Sequence, residues 1–376
     1  MATLHKLKEI GQSPWYDNIT REILSSGGLK ELIDNGVLGL TSNPTIFHKA
    51  FTSSPLYEKQ LEELKTKKIS TFETYEELVF RDILDAARCF EDVYNSSGKV
   101  DGYVSIEISP NYAYNTEKTV EEAKRTFSTL NRPNIMIKVP ATEEGVPAIK
   151  ELVASGLNIN VTLIFSVSQY EKIAAAYIEA LEKRASEGKD LSGIYSVASV
   201  FVSRLDTKVD KILDDACKQS DGLEGNNSLR GLAAVANAKM IYQKFKEIFY
   251  SERFRKLKEQ GANLQRVLWA STSSKDPSYS KIKYVQELIG HNTINTMPEE
   301  TMNAFIQSGD VKVTVEENLE DAKSILNSLE NEGISINELC EELQREGVKK
   351  FSDSFEALID SIAKKRESTQ SQIKPI

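Results

Sequence analysis

The sequence predicts an α/β fold: a TIM-type (β/α)8 barrel with a helical C-terminal extension. Short apolar, β-branched runs alternate with longer segments of helical periodicity, and eight such runs can be placed between residues 15 and 296. Several are continuously apolar rather than alternating, as expected of parallel strands covered on both faces. A doubly wound open sheet is the alternative. No GxGxxG follows a first strand, which weakens a dinucleotide-binding reading.

The predicted strands are, in order, 15–17, 37–41, 103–109, 134–139, 158–165, 196–202, 267–270 and 293–296. Between them, residues 73–94 place Leu78, Ile83, Leu84, Ala87 and Phe90 on one helical face. Thr119-Val-Glu-Glu122 reads as a capping box opening a helix that runs to Leu130. Residues 168–184 align Ile173, Ala176, Tyr177, Ala180 and Leu181, and 233–250 is similar. Pro298 with Glu299 and Glu300 suits the first turn of a further helix. Beyond Asp310 the pattern changes to helices over 316–329, 335–345 and 351–364, the second opened by the capping box Ser335-Ile-Asn-Glu338. The expected division is a catalytic barrel over residues 1–310 and a helical extension over 311–376 packed on it. The polar tail from Arg366 is expected to fray.

A chain of 376 residues, 40% hydrophobic, can bury a large core. With 47 Lys+Arg against 56 Asp+Glu, the net charge of −9 argues against general nucleic-acid binding. A local basic pocket can still take an anionic substrate. Three scattered cysteines with no CxxC point to a reducing, cytoplasmic setting without disulfides, with Cys89 and Cys340 packed in the core. The histidines are isolated and show no metal-ligand spacing. No apolar run approaches a membrane span, and residues 1–10 do not read as a secretory signal.

Lys138 stands in the apolar, strand-like run Ile135-Met-Ile-Lys-Val-Pro-Ala141. Burying an ammonium is costly, yet burial also favours the neutral amine that can attack a carbonyl. The structural alternative is an edge-strand lysine snorkelling to water. In a parallel barrel, catalytic groups project from the C-terminal strand ends. Polar residues at those ends are Asp17, Asn43, Glu107, Lys138, Asn160, Thr162, Ser199, Arg204 and Ser271. Carboxylates, one lysine, amides and hydroxyls together suit a lysine-imine site that handles a polyol. Plainer roles exist for each. Asp17 could cap a first helix, Asn43 could start a turn before Pro44, and Glu107 with Lys138 could form a structural ion pair. Thr162 fits ordinary β-propensity. Arg204 could pair with Asp206 at the surface or clamp a phosphate.

Several blocks carry a family resemblance: Gly39-Leu-Thr-Ser-Asn-Pro-Thr-Ile-Phe47, Ile135-Met-Ile-Lys-Val-Pro-Ala-Thr142, Asn160-Val-Thr-Leu-Ile-Phe-Ser166 and Ser199-Val-Phe-Val-Ser-Arg204. Tyr284-Val-Gln-Glu-Leu-Ile-Gly290 with Asn295-Thr-Met-Pro298 adds a fifth. Together they resemble the transaldolase family in its longer bacterial form, from about Ser13 to Ser308. The resemblance implies a TIM barrel that moves a dihydroxyacetone unit between sugar phosphates in the pentose phosphate pathway. Sedoheptulose 7-phosphate or fructose 6-phosphate would be donors, and glyceraldehyde 3-phosphate or erythrose 4-phosphate acceptors. Imine chemistry calls for neither a metal nor an organic cofactor.

By position, Lys138 matches the imine lysine, Asp17 the acid/base for carbon–carbon cleavage, and Glu107 with Thr162 the holders of a proton-transfer water. Asn43, Asn160 and Ser199 match groups that bind the dihydroxyacetone moiety, and Arg204 a phosphate-binding arginine. Phe201, Ser271 and Lys275 complete the expected substrate-binding set. A second phosphate arginine of the shorter relatives is replaced by Ser273, and Lys275 could supply its charge. Expected partners are sugar phosphates only, with no nucleic acid or membrane, and the expected state is a monomer or homodimer. The rivals are a class I aldolase that releases dihydroxyacetone, and a non-catalytic sugar-phosphate-binding barrel.

Overall fold

The computed structural model describes residues 3–219 and 227–370. The strands β1 (Gln12–Tyr16), β2 (Leu40–Thr41), β3 (Val104–Glu107), β4 (Ile135–Pro140), β5 (Ile159–Ile164), β6 (Ser196–Phe201), β7 (Gln265–Ala270) and β8 (Thr293–Met297) follow one another around a closed barrel. Each neighbouring pair is parallel, and β8 closes on β1 with Gln12 opposite Thr293. The predicted (β/α)8 barrel is therefore the fold. All strand residues but Arg266 are buried, which is why the inner runs read as continuously apolar.

Two strands differ from expectation for local reasons. β1 begins at Gln12, ahead of its apolar residues. Its polar side chains are satisfied inside: Gln12 Nε2 donates to Leu288 O at 2.8 Å and Thr293 Oγ1 at 2.9 Å, and Ser13 Oγ to Asp101 at 2.9 Å. β2 contracts to two residues. A Cβ on Gly39 would lie 2.4 Å from the Trp15 ring, so glycine lets the chain pass a fully buried tryptophan.

Helix boundaries also shifted. The segment expected as one helix over 73–94 is Thr71–Cys89 and Glu91–Ser96, separated at the buried Phe90. The expected capping box at Thr119 is not formed. That helix opens a turn earlier, at Thr116, where Asn115 Oδ1 accepts Lys118 N–H at 2.9 Å. Glu122 instead accepts the Ser109 N–H just beyond β3. Cys340 is buried as expected, whereas Cys89 is exposed at the end of its helix.

After Leu319–Asn331, the two helices expected over 335–345 and 351–364 are one continuous helix, Ile336–Gln370. It continues through residues 366–370, where fraying was expected; residues 371–376 lie outside the described part. Gly347 is not a helix end. A Cβ there would come 2.8 Å from Leu163 Cδ2, so this glycine lets the helix approach the end of β5. The helix packs on Pro44–Ser53, Thr71–Cys89 and β5, across the C-terminal mouth of the barrel. No helix among the described residues is long and apolar enough to cross a membrane.

Candidate active site

A cavity of about 440 Å³ opens at that mouth, bordered among others by Asp17, Lys138, Thr162, Ser199, Arg204 and Phe351. Strand register assembles it. Glu107 on β3 stands opposite Lys138 on β4, and Lys138 opposite Asn160 on β5.

Lys138 is 4% exposed, so the snorkelling alternative fails. Its Nζ lies 3.1 Å from Glu107 Oε2 and donates to Ser42 O at 3.0 Å. Ser42 Oγ in turn donates to Ser105 O at 2.7 Å, which pins the loop after β2. Burial pushes the Glu107 carboxyl above the ordinary glutamate range, and the charges of Lys138 and Arg204 pull it part of the way back. On the same cavity as Lys138, Thr162 Oγ1 is buried with no hydrogen-bond partner among the described residues.

The backbone next to Thr162 is unusual. Register with β6 shifts between Val161 and Ile164, and Leu163 takes φ of 59°. A left-handed leucine costs on the order of 1–3 kcal/mol and persists only where its surroundings over-determine it. Gln344 of the C-terminal helix supplies part of that support, donating to Ala141 O at 2.8 Å and Leu163 O at 3.0 Å.

A second acid sits apart from this pair. Thr41 Oγ1 donates to Asp17 Oδ1 at 2.8 Å and lies 2.7 Å from Thr296 Oγ1. Thr41 has one hydroxyl proton, and Asp17 takes it, so Thr296 must donate to Thr41. Burial raises the Asp17 carboxyl, opposed by the Thr41 hydrogen bond and the fields of Lys138, Lys275 and Arg204. Asp17 keeps part of its surface open to the cavity. It caps no helix, since Thr20 is the N-cap of Arg21–Ser25. Asn43 does cap, its Oδ1 accepting Ile46 N–H at 3.0 Å, while its Nδ2 donates to no described residue.

The remaining candidates divide into lining and supporting groups. Ser199 Oγ donates to Asn160 Oδ1 at 2.7 Å, and Asn160 Nδ2 donates to Ser105 Oγ at 3.0 Å. Ser199 borders the cavity; Asn160 and Glu107 lie behind its wall. Ser271 borders it too, with φ of 54°, tied by its carbonyl to Ser203 N–H at 3.1 Å. Arg204 does not pair with Asp206, which accepts from Ala234 N–H and Tyr284 Oη. Its guanidinium lies 5.0 Å from the Phe201 ring and 6.0 Å from the Phe351 ring. Burial depresses its pKa, partly offset by Glu107 and Glu346. Lys275 Nζ donates to Ser273 Oγ at 2.7 Å.

Sequence reasoning missed Thr41 and Thr296, the Ser42 carbonyl, and Lys350 and Phe351. The threonines were findable, because both stand at strand ends in blocks already singled out. Phe351 was not, because its helical spacing reads as core.

Residues 14–362 match the family model described as transaldolase/fructose-6-phosphate aldolase. The chain belongs to this family. It is 44% identical to a protein named transaldolase from Trichodesmium erythraeum, covering 97% of this chain and 98% of that one. It is 43% identical to transaldolase 2 of a Nostoc species, over 96% and 97% of the two chains. A transaldolase from Saccharopolyspora erythraea is 44% identical over 96% and 97%. The match to the transaldolase/fructose-6-phosphate aldolase model extends along the C-terminal helix to Ile362.

Proposed function

We propose that this chain is a transaldolase that uses Lys138 as an imine-forming nucleophile. It transfers dihydroxyacetone from sedoheptulose 7-phosphate or fructose 6-phosphate to glyceraldehyde 3-phosphate or erythrose 4-phosphate. The observation that carries the reading is the buried Lys138, paired with Glu107 behind the wall, sharing one cavity with a separate acid, Asp17.

Glu107, biased by burial toward its protonated form, takes the ammonium proton and frees the Lys138 amine. The amine attacks C2 of the ketose, and water leaves as the protonated imine forms. Thr162 Oγ1, without a hydrogen-bond partner among the described residues, holds the water through which Glu107 exchanges protons. Asp17 then removes the C4 hydroxyl proton. The C3–C4 bond breaks, its electron pair enters the imine to give an enamine, and the aldose departs. An acceptor aldehyde takes its place, enamine C3 attacks it, and Asp17 returns the proton to the new hydroxyl. Water releases the product from Lys138. Asn43, Ser199 and the Asn160 behind it retain the three-carbon unit between these steps. Phe201 and Ser271 shape the pocket. Arg204 and Lys275 hold the phosphate, and that remote binding orients the reacting carbons. The pathway is the pentose phosphate pathway and the compartment the cytoplasm.

Borohydride reduction in the presence of fructose 6-phosphate should fix one adduct, on Lys138, by peptide mass. An adduct elsewhere would overturn the mechanism. Net transfer should require an acceptor aldose. Steady release of dihydroxyacetone without one would instead make the chain an aldolase.

A further inference from the structure

The rim of the cavity carries more positive charge than its own hydrogen bonds use. Arg204, Lys275 and Lys350 all border it. Arg204 and Lys350 make no hydrogen bond or ion pair with a described residue, and Lys275 reaches only the Ser273 hydroxyl. Three carboxylates of the same helix are engaged by other cations: Glu342 and Glu346 hold Lys208, and Asp353 holds Lys349. Burial and the fields of Lys350 and Arg204 depress Lys275, against the opposite pull of Asp17. Like charges gathered together repel, and a bound dianion reduces that repulsion.

Lys350 is also placed with little freedom at its backbone. Its neighbour Phe351 lies 6.0 Å from the Arg204 guanidinium and 5.9 Å from Lys138 Nζ. One turn earlier, Gly347 lets the helix touch Leu163, and Gln344 bonds Ala141 O and Leu163 O at the ends of β4 and β5. One turn of the C-terminal helix thus presents an aromatic wall and a cation to the same cavity. Lys49 borders the cavity as well, but it equally lines the adjoining recess of Thr20, Ser53 and Glu299.

We propose that Lys350, on the C-terminal helix, grips the phosphate monoester of the substrate together with Arg204 and Lys275, so that helix Ile336–Gln370 forms part of the sugar-phosphate site. This rests on the sugar-phosphate reading above. The side chain acts as a mobile point charge, where an arginine would form a bidentate fork.

The test is Lys350→Ala and Lys350→Arg in the full chain, with two readouts. In steady state, Lys350→Ala should raise KM for fructose 6-phosphate roughly tenfold with kcat within about twofold, and Lys350→Arg should restore KM. By calorimetry, inorganic phosphate should bind Lys350→Ala about tenfold more weakly than the parent chain. Unchanged phosphate binding would overturn the assignment, as would a loss confined to kcat. The calorimetric arm needs no turnover. If the parent chain forms no adduct at Lys138, the transaldolase reading fails, while phosphate binding still decides the role of Lys350.

Discussion

Two buried ion pairs in this chain resemble each other in charge and burial and differ in everything else. Arg21 and Asp82, 2.9 Å apart, tie Arg21–Ser25 to Thr71–Cys89. Every strong group there has further partners. Arg21 also donates to Leu78 O and lies 4.1 Å above the Tyr57 ring, and Tyr57 Oη donates to the second Asp82 oxygen at 2.7 Å. The pair of Lys138 and Glu107 is less complete. Thr162 Oγ1, which lines the same cavity as the lysine, is buried without a hydrogen-bond partner among the described residues. Burial and pairing therefore do not separate a structural pair from one proposed to react. What separates them is whether the remaining donors and acceptors are already used.

Lys138→Met is the sharpest way to break this comparison. It should abolish the borohydride adduct and lower transfer by on the order of 10⁵-fold, in line with loss of a nucleophile. Its unfolding free energy by urea titration should fall less than that of Arg21→Met, because Glu107 is already biased toward its neutral form. Asp17→Ala should cost about 10²–10⁴-fold in cleavage yet keep the adduct. Equal loss of both steps would reassign Asp17. With Asp17 intact, the acidic limb of kcat should lie above the ordinary aspartate range, because burial raises this carboxyl. Arg21→Met leaves Asp82 buried without its cation and should cost about 3–5 kcal/mol of stability, with the Lys138 adduct still forming.

The smallest expected effect concerns Glu122, whose carboxyl burial pushes up to about 7. In the unfolded chain it ionises near ~4.3. Between those values the folded state holds the extra proton, so Glu122 lowers stability as pH rises through that window, and its penalty is constant above it. Urea titrations from pH 4 to 8 should show a flatter profile for Glu122→Gln. An identical profile would mean that Glu122 is more hydrated than its position behind Ser109 implies.

Much of the site was legible because catalytic groups in a parallel barrel interrupt apolar strands. A lysine within Ile-Met-Ile-Lys-Val-Pro and a glutamate between two isoleucines violate the local pattern, and both proved to meet in register. The barrel was legible for a related reason: continuous apolar runs of strand length recur between helical segments. The misreadings fell where polar residues are satisfied internally, as at Gln12 and Ser13, or where a local signal was used for something else. Glu122 looked like a capping partner and instead holds Ser109 N–H. The break expected between 345 and 351 is instead continuous helix, and Gly347 within it marks a close contact with Leu163.

By itself, then, the sequence determined the alternation of strands and helices, the buried lysine with its carboxylate, and the family blocks around them. These follow from the two-residue and 3.6-residue periods and from the cost of placing charge among apolar neighbours. Tertiary structure alone decided which hydroxyl serves Asp17, which carbonyl holds Lys138, and that a helix some two hundred residues downstream of Lys138 brings Phe351 and Lys350 to the same cavity. Those relations depend on distances between segments far apart in the chain, and no local periodicity encodes them.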